Sequence, residues 1–371
     1  MRISADRRLM FAATLIVLLL PGLSSAQKYH RTDITTTSST VSNAPNIDSQ
    51  LLNAWGMSRG AGGPWWISDN GTGLTTVYNG AGAPFVPTGA TQPLVVKIAT
   101  PDGTGTATPT GTVFNPTSGF QVGGGKAIFL FVTEDGTISG WNPAADFANT
   151  LIIKNNAGKA VYKGCAISTP SFGARFHATN FQSGKVETYN ANFVRIEPNN
   201  ETAFRIPGIP ANYAPFNIQN VGGNLVVTFA RRAPGSLDED HGAGVGYVGV
   251  FSPTGKFLMS LQHGPWFNAP WGVALAPGDF GKFTHRMLIG NFGDGAIHAF
   301  NLVTGKHEGA MLDDVTGLPL VIDGLWGLSF GGDSVNDGMA TTLYFTAGPN
   351  DEADGVLGTL TAASDQPGNS Q

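Results

Sequence analysis

A six-fold internal repeat constrains this chain more than any other feature. Short segments of one pattern recur along it: AWGMS, PTGTVF, YKGCAI, PFNIQ, PWGVAL and LWGLSF. Their register positions are Gly56, Gly111, Gly164, Asn217, Gly272 and Gly327, with neighbours 53 to 55 residues apart. Each unit continues with a second apolar run such as WWISD or RMLIGN, a glycine turn, and a third run such as LTTVY or AIHAF. Most units end in a fourth run, for example PLVVKIA or FLMSLQ. No segment carries a helical period. Four antiparallel strands in each unit of about 50 residues describe the blade of a β-propeller. The sequence therefore predicts an all-β fold, a six-bladed β-propeller over residues 27–363.

The sixth unit lacks a fourth run, because the chain turns polar after Ala363. The β-branched stretch YHRTDITTTSS (29–39) precedes the first unit, and we expect it to supply the missing strand beside residues 356–362, so that the propeller is closed by an N-terminal strand. The abundance of Gly (51 of 371 residues) fits the many tight turns that such a ring requires.

Ahead of the repeats, Arg2, Arg7 and Arg8 precede the apolar run 9–20, and small residues end the segment at Ala26. That order predicts a signal peptide over 1–26 and a secreted or periplasmic protein. The run is too short to span a bilayer, which needs roughly 20 residues. Residues 364–371 read as a flexible tail. Net charge is −5 without a basic patch, which argues against nucleic acid as a partner. The expected state is a soluble monomer without a membrane span.

The quoted segments, with FVTEDGTISGWNP, YAPFNIQNVGG and LYFTAGPNDEADGVLG, resemble a family of exported bacterial six-bladed propellers with no assigned activity. More distantly the chain is similar to NHL-repeat propellers and to calcium-dependent phosphotriesterase and gluconolactonase propellers. In those hydrolases Glu, Asn and Asp from several blades hold calcium at the channel mouth, with an Asn or Asp just before the register glycine. Here that place holds Trp55, Thr110, Lys163, Phe216, Trp271 and Trp326.

Two functional classes follow. In the first, the propeller is a binding module for a small molecule, glycan or protein, and the aromatics Trp55, Phe216, Trp271 and Trp326 form a ligand-contacting rim at the channel mouth. Packing between blades is the structural alternative for those four. In the second, a rearranged ring of Asp69, Glu134, Asn180 and Asn291 at the ends of second strands holds calcium and supports hydrolysis of esters or lactones. Turn capping is the alternative for these residues.

Other motifs carry less. Gly56-Met57-Ser58-Arg59-Gly60 fits the G-x-S-x-G pattern but lies on a first strand, and GLSFG (327–331) repeats it. NDEADG (350–355) matches the opening of a calcium loop, with Thr361 at the twelfth position where a Glu is needed. In the acidic insertion, Asp238, Glu239, Asp240 and His241 are of types that could take a metal, with a mobile charged loop as the favoured alternative. Cys165, the only cysteine, excludes an intrachain disulfide.

Overall fold

The computed structural model describes residues 28–197 and 202–363. The expected signal peptide and tail lie outside the described residues. Among them there is no α-helix, only a 3-10 turn at Gly281–Phe283. The strands form six blades around one axis, as the repeat predicts. Blade 1 runs through Ala54–Ser58, Trp65–Asp69, Leu74–Tyr78 and Val95–Lys97. Blade 2 comprises Pro109–Phe114, Phe129–Thr133, Thr137–Trp141 and Leu151–Asn155. Blade 3 begins at Tyr162–Ser168, blade 4 at Tyr213–Val221, blade 5 at Pro270–Leu275 and blade 6 at Leu325–Phe330.

The chain closes through its beginning. Lys28–Thr36 pairs antiparallel with Val356–Ala362, from Tyr29 opposite Ala362 to Thr36 opposite Val356. Two short parallel additions, Asn46–Ile47 and Leu312–Asp313, flank that strand. Tyr29 fixes it to blade 5: its ring stacks on Phe283 at 5.8 Å, and its hydroxyl donates to the Phe280 carbonyl at 3.1 Å.

Blades are apolar on both faces because each is sandwiched between two others. Alternation along one strand then divides its side chains between neighbours. Phe129 and Phe131 pack with Trp66 of blade 1, whereas Leu130 and Val132 pack with Phe176 of blade 3. A comparable core fills each of the six contacts between blades.

At the axis the innermost strands leave no room for side chains. A Cβ on Gly56 would stand 2.5 Å from the Thr110 carbonyl oxygen, and one on Gly111 would stand 2.7 Å from the Cys165 nitrogen. Hydrogen bonds cross the same seams. Thr110 donates to the Tyr162 carbonyl at 2.8 Å, Thr179 to that of Phe216 at 3.0 Å, and Asn217 to that of Trp271 at 2.8 Å. The register glycines are thus a requirement of close approach. Their void is only about 20 Å³, space for a single water.

Gly111→Ala should therefore cost about 1–3 kcal/mol through overpacking. At Gly63 the nearest atom to a Cβ would be 3.5 Å away, and Gly63→Ala should stay within about 0.5 kcal/mol of wild type. Denaturant unfolding of the two variants checks this, and equal effects would contradict the crowded axis.

Candidate functional site

The residue before each register position points to one end of the axis, so those from five blades meet there. Trp55 and Trp326 stack with ring centroids 3.5 Å apart, and Trp271 meets both edge-on at 6.1 and 5.8 Å. Phe216 packs edge-on against Trp326 at 6.0 Å, and Phe292 stacks on Trp326 at 4.0 Å. The indole N–H groups are all satisfied: Trp55 and Trp326 donate to Asn53 Oδ1, and Trp271 donates to the Lys163 carbonyl. None of the four predicted aromatics is more than 4% exposed. The expected rim is therefore corrected to a plug. The axis is too narrow for these rings to reach solvent before they reach one another.

Lys163 is the exception among them, and it organises the mouth above the plug. Its stem passes the rings, with the ammonium 5.1 Å from the Trp55 centroid and 5.8 Å from that of Phe181. Nζ contacts Glu134 Oε1 at 2.6 Å, Glu239 Oε2 at 3.3 Å and Asp238 Oδ1 at 3.7 Å. The lysine side chain is 2% exposed. Burial opposes its charge, but the carboxylates of Glu239, Glu134 and Asp238 outweigh burial and hold its pKa above the ordinary lysine range. Asn70 donates to the other oxygen of Glu134 at 2.9 Å, linking the cluster to blade 1.

Glu352 reaches the same cluster from blade 6. Its carboxyl is raised to about 7, first by burial and then by the Glu239 and Glu134 charges, with Lys163 and Asn53 acting against them. The loop presenting it is unusual, since Asn350, Asp351 and Glu352 all have positive φ (58°, 53° and 64°). Consecutive left-handed residues other than glycine persist only when their surroundings over-determine them. Here Asn350 donates its backbone N–H to Asp323 and its side chain to Asp354, both at 2.9 Å, and Thr37 donates to Asp354 at 2.9 Å. The acidic groups of NDEADG thus hold their own hairpin to the closing segment.

Of the four residues expected to form a cation ring, only Glu134 lies in this cluster. Asp69, Asn180 and Asn291 end their second strands opposite Ala54, Tyr162 and Pro270, whereas the matching position in blade 2 is Thr133, opposite Pro109. Glu134 stands one residue further along, on the opposite side of the strand path. The other three serve their own blades. Asp69, fully buried, accepts from the Thr76 backbone N–H at 2.8 Å. Asn180 accepts from the Ser183 backbone N–H at 3.1 Å and donates to Glu187 at 2.9 Å. Asn291 donates to Asp294 at 3.0 Å and to the Trp266 carbonyl at 2.8 Å. Among the described residues no group of three or more His, Cys, Asp or Glu side chains is arranged to hold a metal ion. At the mouth the place between the carboxylates is filled by the Lys163 ammonium, a poor fit for calcium.

Sequence reasoning missed Lys163, Glu239 and Glu352 as members of one site. The available signal was positional. A lysine stands in the register series, and two acid-rich insertions lie on second-to-third-strand hairpins, which a propeller gathers on one face.

The sequence matches no family model. "Uncharacterized protein R648" of Acanthamoeba polyphaga mimivirus is 29% identical over 333 residues, covering 87% of this chain and 78% of that protein. "Uncharacterized protein L690" of the same virus is 30% identical over 330 residues, covering 85% of this chain and 82% of that protein. The chain belongs to the family of that mimivirus protein L690. Its shown relatives are thus viral, where the motifs resembled exported bacterial proteins. Solved structures match the fold at low identity. A streptogramin B lyase aligns over 91% of this chain and 98% of its own, with TM-score 0.52 and 11% identity. Virginiamycin B lyase from Staphylococcus aureus aligns over 90% and 99%, with TM-score 0.51 and 14% identity. The soluble aldose sugar dehydrogenase of Escherichia coli aligns over 90% and 100%, with TM-score 0.50 and 12% identity. These similarities establish the architecture of the family member; chemistry does not transfer with fold.

The raised Glu352 carboxyl makes stability depend on pH. The folded protein holds that proton up to about pH 7, the unfolded chain only to about 4.5. Folding therefore takes up a proton in this window, and the contribution of Glu352 to stability falls as pH rises through it. Melting temperatures of Glu352→Gln and wild type should diverge from pH 4 to pH 8 in the variant's favour. Parallel profiles would contradict the assignment.

Proposed function

We propose that the protein is a binding module whose channel mouth recognises a positively charged group on a small molecule, glycan or protein partner. The observation that carries this reading is a charge imbalance. Among the described residues Glu134, Asp238, Glu239 and Glu352 converge on Lys163 as their one close ammonium. Burial first, and then the charges of Glu239 and Glu134, keep the Glu352 carboxyl protonated to about pH 7 at a mouth where carboxylates outnumber the ammonium. An incoming cation can replace that proton. The near-sealed axis and the buried plug favour contact at the mouth over passage through the ring. The apolar run and small residues of segment 1–26 support action outside the cytoplasm.

The calcium-dependent hydrolase reading needs a second cation among the same carboxylates. Among the described residues no three such side chains are arranged to ligate a metal ion, whereas recognition of an organic cation needs no ligand shell of that kind, which favours the binding module.

Isothermal titration at pH 8 and low salt tests the proposal with spermidine as cationic probe and Ca²⁺ as competitor. Wild type should bind spermidine, more weakly at pH 6, and Glu352→Gln should weaken binding about tenfold. Absence of spermidine binding, or equal binding by the variant, would overturn it. So would tight Ca²⁺ binding that Glu134→Gln abolishes.

A further inference from the structure

A second site lies between blades 3 and 4, outside the Lys163 cluster. There the strand Lys185–Asn190 of blade 3 and the strand Asn224–Arg232 of blade 4 border a cavity of about 480 Å³. Its wall includes Val186, Ile196, Ile209, Tyr213 and Phe229, and its charged groups include Lys185, Arg195, Arg205 and Arg232.

The two carboxylates in the wall are already committed. Glu187 accepts from Tyr162 and Tyr189, both at 2.7 Å, and from Asn180 at 2.9 Å. Glu197 pairs with Arg195 at 3.0 Å, and Arg195 also lies 3.6 Å from Glu187. Among the described residues no carboxylate lies within ion-pair distance of Lys185 or Arg232.

Adjacent arginines show the contrast. Arg231 is held by Asp240 at 2.6 Å, whereas Arg232 donates Nε to the Phe181 carbonyl at 3.0 Å. Gly184 makes room for that head group, since a Cβ there would stand 2.6 Å from Arg232 Nη2. A half-buried guanidinium with no carboxylate partner among the described residues, fixed at its Nε and facing a partly apolar cavity, is a preorganised anion receptor.

We propose that this cavity binds an anionic small molecule whose carboxylate, phosphate or sulfonate meets Arg232 and Lys185 while its apolar body lies against Tyr213, Phe229 and Ile209. This site uses none of the carboxylates of the mouth.

The test uses the full chain and 8-anilinonaphthalene-1-sulfonate, with the uncharged N-phenyl-1-naphthylamine as control, followed by fluorescence. The sulfonate should bind in a salt-sensitive manner. Arg232→Gln should weaken it about tenfold, and Lys185→Gln, a change at an exposed residue, should weaken it severalfold. Glu352→Gln should leave it unchanged, which separates this site from the mouth. Equal binding of the uncharged control, or undiminished sulfonate binding in both Arg232→Gln and Lys185→Gln, would overturn the proposal.

Discussion

Close approach of the innermost strands at the axis governs the rest of this structure. Blade-to-blade distances there are so short that a methyl group on Gly56 or Gly111 would collide with the neighbouring backbone. Threonine and asparagine side chains use that proximity to bridge one blade to the next. The same narrowness forces Trp55, Trp271, Trp326 and Phe216 into one another and closes the channel beneath the mouth. A ligand must then be met by loops at the ring's ends or by seams between blades, where the polar groups have unequal partners.

The mouth shows how a buried charge is tolerated. Desolvating an ammonium costs several kcal/mol unless close partners offset it. Lys163 has Glu134 and Glu239 in contact, Asp238 nearby, and aromatic faces around its head. These groups come from different blades, so the cluster also ties the ring together. Carboxylates exceed the single ammonium among the described residues, and Glu352, buried and beside the Glu239 and Glu134 charges, keeps its proton to about pH 7. Positive charge from a ligand would relieve the same imbalance.

The fold was legible because crowding at the axis imposes glycine at one place in nearly every blade, and that place recurs visibly in the sequence. Closure by the N-terminal strand was legible too, from a missing fourth run and an unassigned β-branched segment. The parallel additions at Asn46–Ile47 and Leu312–Asp313 are too short to carry a period. The site was less legible. Residues 134–136 join the second and third strands of blade 2, whereas residues 70–73 do so in blade 1. That difference shifts Glu134 by one position relative to Asp69, and a one-residue shift reverses the facing of a strand residue. Lys163 and Glu239, 76 residues apart, meet because the first strand of blade 3 and the second-to-third-strand insertion of blade 4 converge at the mouth.

A double-mutant cycle on Lys163→Met and Glu134→Gln, followed by denaturant unfolding, tests most directly whether the buried ammonium organises the mouth. Lys163→Met alone should cost about 3–5 kcal/mol, because it leaves the carboxylates without their counter-charge. Combined with Glu134→Gln, the cost should fall short of the sum by about 1 kcal/mol or more. Additivity within about 0.5 kcal/mol would contradict the account, because the two side chains would then be energetically independent.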